Sequence, residues 1–159
     1  MPESVQKIDR AMLALFRRIY LPFARVALSV VYGWFGALKM FDMSPATPLV
    51  SELFARTIGT LSIVSFPSFY EMLSLFEIMI GILFLIRGME RPAFVLVVMH
   101  LGMTSIPLVL LPHTAWQGFL APTLEGQYII KNIMIAALAV VVGAHARYAG
   151  HNDRTAEML

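Results

Sequence analysis

The sequence predicts an all-α protein: an integral membrane four-helix bundle with an N-terminal amphipathic interfacial helix. A short outer-surface or re-entrant helix is expected between the first two spans. Two observations carry this prediction. Of 159 residues, 58% are hydrophobic and only 14% are charged, whereas soluble domains carry about 25% charged residues. Four long apolar stretches also approach the roughly 20 residues that a membrane-spanning helix needs. The composition therefore excludes a soluble globular domain, a disordered tail and a secreted disulfide scaffold.

The first element is a basic amphipathic helix over residues 4–20. Apolar side chains recur there at helical spacing, at Val5, Ile8, Met12, Leu15 and Ile19, and the basic residues Lys7, Arg10, Arg17 and Arg18 lie at other positions. Such a helix is expected to lie on the inner membrane surface. The alternative is that this segment is only the solvated start of the first span.

The remaining elements follow from the apolar runs. The predicted spans are residues 21–39, 69–87, 92–111 and 127–145, with an outer loop or short helix at 45–66 and a cytoplasmic tail at 146–159. The runs are unbroken and lack the alternation of an outer-membrane barrel, so they are expected to be helices that satisfy their own backbone hydrogen bonds. A single transmembrane domain of 159 residues is the expected organisation.

The distribution of lysine and arginine predicts the orientation. Basic residues concentrate before the first span, in the turn between the second and third spans, and in the tail, whereas the segment from Pro112 to Gln127 contains neither Lys nor Arg. This pattern favours cytoplasmic positions for both termini in a bacterial-type inner (plasma) membrane. It is a topology signal and not a nucleic-acid footprint, so the expected partner is the lipid bilayer. The N-terminus is not expected to be a cleaved signal peptide.

Ionisable residues at membrane depth are the candidate functional residues, because charge inside lipid is costly and normally paired. Glu77 and His100 are both predicted near the middle of the bilayer. Further polar candidates are expected in the outer half of the bundle: Lys39, Glu71, Thr104, Gln127, Lys131 and Asn132. We expect a polar pocket there, with Lys131 paired to Glu71 or Glu77. The alternative is that these groups only hold the helices together.

The cofactor signals are few. A Glu77–His100 pair could carry protons or hold a quinone carbonyl. Haem is not expected, because no second histidine lies at the depth of His100. No metal site is expected, since zinc would need three or four clustered ligands and this pair supplies two. The sequence contains no cysteine, which excludes disulfides, thiolate catalysis and cysteine-ligated metals.

Three short motifs resemble the DoxX-like membrane protein family. Gly36-Ala37-Leu38-Lys39 resembles the G-x-x-K end of the family's first helix, and the segment 77–83, EIMIGIL, is similar to the E-x-x-x-G-x-L of the second helix. The segment 126–132, GQYIIKN, resembles the glycine-to-K-[ND] opening of the fourth helix, as in the branch of the reactive-chlorine-resistance inner-membrane proteins. The resemblance implies a four-helix inner-membrane protein and draws attention to Lys39, Glu77, Lys131 and Asn132.

The family resemblance leaves the activity open. Its members are tied to quinone-linked sulfur oxidation, membrane oxidoreductase complexes and oxidative-stress resistance, and distant relatives act as membrane chaperones. The first hypothesis is an accessory, non-catalytic subunit of a redox or respiratory membrane complex that binds a quinone or another small amphipathic ligand. It would work beside a larger partner or as a homo-oligomer. The second is an oxidative-stress-resistance or membrane-protein assembly factor with a purely structural polar cluster, and the third is a small oligomeric transporter or channel.

Overall fold

A computed structural model describes the backbone of residues 3–156 and the side chains of residues 4–145. Its elements in chain order are α1 (Glu3–Met40), α2 (Thr47–Arg56), a 3₁₀ turn (Ile58–Leu61), α3 (Phe66–Leu85), α4 (Glu90–Ser105), α5 (Pro107–Leu110), α6 (Pro112–Ala115), β1 (Trp116–Gly118), β2 (Ala121–Pro122) and α7 (Leu124–Ala156). Four helical segments are long and apolar enough to cross a membrane: Ser4–Met40, Phe66–Leu85, Glu90–Leu110 and Leu124–His145. The prediction of a mostly helical protein with four helices long and apolar enough to span a membrane is confirmed.

The N-terminal segment differs from the prediction. Residues 4–20 do not form a separate helix before the first span, because α1 runs without interruption from Glu3 to Met40. Pro22 lies inside this helix. Its ring removes one backbone donor, so the carbonyl of Arg18 lacks its usual intrahelical partner. The side chains of residues 4–20 are exposed. The amphipathic segment is therefore the first half of α1.

The third predicted span, 92–111, is interrupted near its C-terminal end. Helix α4 ends at Ser105, and the short helix α5 begins at Pro107. Proline cannot donate the backbone hydrogen bond that would continue the helix, and it disfavours helical geometry at the preceding residue. Pro112 has the same effect one turn later, where α5 gives way to α6. The chain then forms a small antiparallel hairpin, β1–β2, which pairs Trp116 with Pro122 and was not predicted.

The last helix extends beyond its predicted end. Helix α7 runs from Leu124 to Ala156 and so enters the predicted tail, 146–159. Residues 157–159 of that tail lie outside the described residues. The outer loop, 45–66, contains the expected short helix, α2, in which Phe54 is buried. The Phe54 ring packs against Phe66 and Phe69, with centroids 5.5 and 5.1 Å away. These contacts attach α2 to the start of α3.

The four long helices form a bundle in which each packs against two others: α1 contacts α3 and α7, and α4 contacts α7 and α3. The buried residues of α1 and α3 recur at intervals of three and four, which is the spacing of one helix face. The hydrophobic core consists of Ala24, Leu28, Tyr32, Ile80, Phe84, Ala93, Val97, Ala139 and Val142. Most other large apolar side chains of the spans are exposed, as expected for surfaces that face lipid.

Two glycines allow close approach of α1 and α3. A Cβ atom on Gly81 would lie 2.8 Å from the backbone nitrogen of Gly33 and 2.9 Å from the Ser29 carbonyl oxygen. A Cβ atom on Gly36 would lie 3.0 Å from the Ser74 carbonyl oxygen. Small residues at helix interfaces let backbones pack closely in membranes. This contact fixes the position of α1 relative to α3 and so the relative heights of their polar side chains.

Candidate functional site: a buried polar cluster

Four polar side chains from three helices meet inside the bundle, and we refer to them as the buried cluster: Tyr32 and Lys39 of α1, Glu77 of α3 and His100 of α4. All four residues are buried, with exposed fractions between 3% and 7%. Their positions follow from helical spacing, since Tyr32 and Lys39 are two turns apart on one face of α1. Glu77 and His100 each lie in the buried stripe of their own helix.

Glu77 is the centre of the buried cluster because its two carboxylate oxygens serve two different helices. The Lys39 ammonium donates to Oε2 at 2.6 Å. The Nε2 atom of His100 lies 2.8 Å from Oε1. On the other side of the imidazole, Nδ1 lies 3.4 Å from the hydroxyl oxygen of Tyr32. The chain of contacts Lys39–Glu77–His100–Tyr32 therefore begins and ends on α1 and passes through α3 and α4.

The directions of the helices explain why these side chains meet. Side chains in a helix lean towards its N-terminus. Lys39 stands in the last turn of α1, so its side chain leans back into the bundle. Helix α3 runs in the opposite direction, so Glu77 leans towards the Lys39 end. The two side chains thus lean towards each other along the helix axes, which brings their charged groups into contact.

The hydrogen bonds offset the cost of burying these charges. Taking an ammonium and a carboxylate out of water costs several kcal/mol per ion, and the pair recovers this only with good geometry and further hydrogen bonds. His100 supplies such a bond to the second oxygen of Glu77. Nearby, the Ser74 hydroxyl donates to the Gly36 carbonyl at 2.7 Å, which adds a polar contact between α1 and α3. The cluster thereby links three helices at defined heights.

Lys131 does not pair with Glu77 or Glu71, so this expectation was wrong. Lys131 is exposed, and its ammonium lies over the ring of Tyr128, 5.6 Å from the centroid. Glu71 and Gln127 are also exposed. The neighbouring Asn132 instead turns towards α4 and donates to the Thr104 hydroxyl at 3.4 Å. Three of the predicted residues therefore meet in the buried cluster, two form a separate contact between α4 and α7, and three are exposed: Lys39, Glu77 and His100; Thr104 and Asn132; and Glu71, Gln127 and Lys131.

A second group, which we call the outer cluster, was missed by the sequence reasoning. It joins Glu52 and Arg56 of α2 to His113 and Thr114 of α6. Glu52 Oε1 lies 2.8 Å from His113 Nε2 and 3.1 Å from Arg56 Nη2, while the Thr114 hydroxyl donates to Oε2 at 3.0 Å. The i,i+4 spacing of Glu52 and Arg56 is visible in the sequence, but the sequence does not indicate that α6 packs against α2.

The outer cluster lowers the pKa of Glu52 below its ordinary value. The largest favourable cause is the hydrogen bond from Thr114, followed by the hydrogen bond and charge of His113 and the charge of Arg56, and together they outweigh the opposing desolvation. Hydrogen bonds to a carboxylate stabilise its charged form. The contact between α2 and α6 therefore favours ionised Glu52.

A third set of polar contacts lies at the opposite end of the bundle and was also missed. Arg25 donates Nε to the Phe84 carbonyl at 2.9 Å and Nη1 to Glu90 at 2.5 Å. Tyr20 and His145 form a hydrogen bond there between α1 and α7. Arg25 stands within a predicted span, so its depth indicates that it needs an acidic partner, although depth does not say which one.

Comparison of the chain with models of protein families, with curated proteins and with solved structures finds no match in any of the three. Among residues 4–145, no group of three or more His, Cys, Asp or Glu side chains could hold a metal ion. The functional interpretation therefore depends on the buried cluster and on the surfaces around it.

Proposed function

We propose that this chain is a DoxX-like oxidative-stress-resistance or membrane-protein assembly factor, in which the buried cluster is structural and the protein is not itself a catalyst. It would reside in a bacterial-type inner membrane with both termini on the cytoplasmic side. The observation that carries this proposal is the internal pairing of Glu77, whose two oxygens are bonded to Lys39 and His100. Glu77 is also buried, with 4% of the residue exposed, so a substrate has little access to its carboxylate.

The surface of the bundle supports an accessory role. Large apolar side chains cover the outside of the spans, including Phe23, Trp34, Met72 and Ile133, each more than 60% exposed. Such a surface fits lipid or a larger membrane protein partner, and a four-helix scaffold of this kind could present it. The motifs around Lys39 and Glu77 support the family assignment, and its stress-resistance and chaperone members provide precedents.

A quinone-linked accessory subunit is the second candidate. The observation that favours it is the chain Glu77–His100–Tyr32, because these three groups can pass a proton through an apolar region. A quinone would approach from the lipid side, where Lys131 and Tyr128 are exposed on α7. A Lys131 ammonium there could donate to a quinone carbonyl.

One experiment separates the two candidates. Cells lacking the gene are complemented with the wild type, Lys131→Met or Glu77→Leu, then challenged with hypochlorous acid, and quinone is measured in the purified protein. A structural cluster predicts that Lys131→Met keeps full resistance, whereas Glu77→Leu lowers the amount of folded protein in the membrane and resistance in proportion.

The second candidate predicts a different result. Lys131→Met would then lose bound quinone and resistance while the amount of membrane protein stays unchanged. Glu125→Gln, also on α7 and also a single-charge change, is the matched control for Lys131→Met. If none of the variants, nor deletion of the gene, changes survival, the stress-resistance role is contradicted.

A further inference from the structure

A groove of about 520 Å³ lies at the end of the bundle where α3 ends and α4 begins. Arginines at positions 18, 25 and 87 line it together with apolar side chains that include Leu21, Pro22 and Leu85. Its volume falls in the range of about 300 to 1,000 Å³ found for small-molecule sites. None of the residues that line the groove belongs to the buried cluster, and the groove has no part in the function proposed above.

The groove carries positive charge that internal contacts do not fully balance. Arg25 is partly neutralised by Glu90, but its Nη2 atom is buried and has no hydrogen-bond partner within the described part of the chain. Arg18 and Arg87 are exposed. In residues 4–145, neither of them forms a salt bridge. Three guanidinium groups against one carboxylate leave a formal excess of two positive charges.

The depth of the groove places these guanidinium groups at a membrane boundary. Helix α3 has 20 residues, and at about 1.5 Å per residue it spans roughly 30 Å, the thickness of the hydrocarbon core. Leu85 ends this helix, and Arg87 follows two residues later in the turn. We therefore expect the apolar side of the groove to face acyl chains, and Arg18 and Arg87 to lie at the level of the headgroups.

We propose that this groove binds an anionic phospholipid, with the phosphate held between Arg18 and Arg87 and an acyl chain along Leu21, Pro22 and Leu85. Guanidinium groups form paired, charge-assisted hydrogen bonds with phosphate oxygens. An apolar wall beside the cations favours an amphipathic anion over a free one. The assignment holds for either orientation of the protein, because each leaflet has a phosphate layer.

The test uses the full chain, purified and delipidated in mild detergent, with native mass spectrometry as the readout. Dioleoyl-phosphatidylglycerol and dioleoyl-phosphatidylcholine are added separately to the wild type, to the double variant Arg18→Gln/Arg87→Gln, and to the control Arg17→Gln/Arg91→Gln. The control removes the same charge from neighbouring exposed positions. We expect the groove variant to bind phosphatidylglycerol about 10- to 30-fold more weakly, with phosphatidylcholine binding unchanged and the control close to wild type.

Other results overturn the proposal. Equal loss in both double variants would mean diffuse attraction to surface charge, and no loss in either would mean that the groove is not a site. Displacement of the lipid by equimolar glycerol 3-phosphate would assign the groove to a soluble phosphate compound. Thermal unfolding checks that the variants are folded. The single variants Arg18→Gln and Arg87→Gln, each expected to lose about fivefold, replace the double variant if it does not fold.

Discussion

At the residue scale, Glu77 is the central contact of the buried cluster, because its two carboxylate oxygens connect α3 to α1 and to α4. Depth along the sequence was enough to select Glu77, His100 and Lys39 as candidates. The partner of Glu77 could not be chosen in this way, since depth does not give rotation about a helix axis. Lys131 and Asn132 are about 100° apart on α7, so only one can face α4, and it is Asn132.

Glu52 in the outer cluster gives a prediction about pH. Its pKa is lowered chiefly by the hydrogen bond from Thr114. A carboxyl group with a depressed folded-state pKa contributes stability above its unfolded pKa, and this contribution is lost as pH falls through the folded pKa. We expect Thr114→Val to raise the pKa of Glu52 towards the ordinary value of a glutamate side chain. NMR titration of protein with labelled glutamate carboxyl groups measures this value.

The matched control for that substitution is Thr60→Val. Thr60 is exposed, and its hydroxyl donates to the Thr57 carbonyl and not to Glu52. It should leave the Glu52 titration unchanged. An unchanged Glu52 pKa in the Thr114→Val variant would mean that the hydrogen bond between α6 and α2 does not form in solution.

At the element scale, apolar length predicted the four spans, because a membrane requires continuous hydrophobic helices. The finer divisions depended on local chemistry that length does not reveal. Pro107 separates α5 from α4, whereas Pro22 leaves α1 continuous. The same residue type thus ends one helix and is accommodated in another, and the β1–β2 hairpin has no apolar alternation from which it could have been predicted.

The close contact between α1 and α3 can be tested by a single substitution. Gly81→Ala would place its Cβ atom 2.8 Å from the Gly33 backbone nitrogen, so one of the two helices must move. We expect a loss of about 1 to 3 kcal/mol in the free energy of unfolding, measured by SDS titration in mixed micelles. Gly102→Ala is the control, since a Cβ atom there meets nothing within 4 Å. Equal stability of the two variants would contradict close packing at Gly81.

At the scale of the whole molecule, the proposed orientation can be tested by labelling, because the sequence contains no cysteine. Ser4 and Gln117 are exposed and lie at opposite ends of the bundle. Each is replaced by a single cysteine in a separate variant. In intact cells, we expect a membrane-impermeant maleimide to label the variant Gln117→Cys and not Ser4→Cys. Labelling of Ser4→Cys alone would reverse the proposed topology, and labelling of both would contradict the bundle as a membrane-spanning unit.

A buried Lys39–Glu77 pair holds α1 and α3 together. A double-mutant cycle with Lys39→Met, Glu77→Gln and both, followed by SDS unfolding in mixed micelles, measures the coupling between the two side chains. Removing one member leaves the other charge buried, so each single variant should lose about 3 to 5 kcal/mol. The double variant should be at least about 1 kcal/mol more stable than the sum of the single losses predicts. Additive losses would show that the two side chains do not interact.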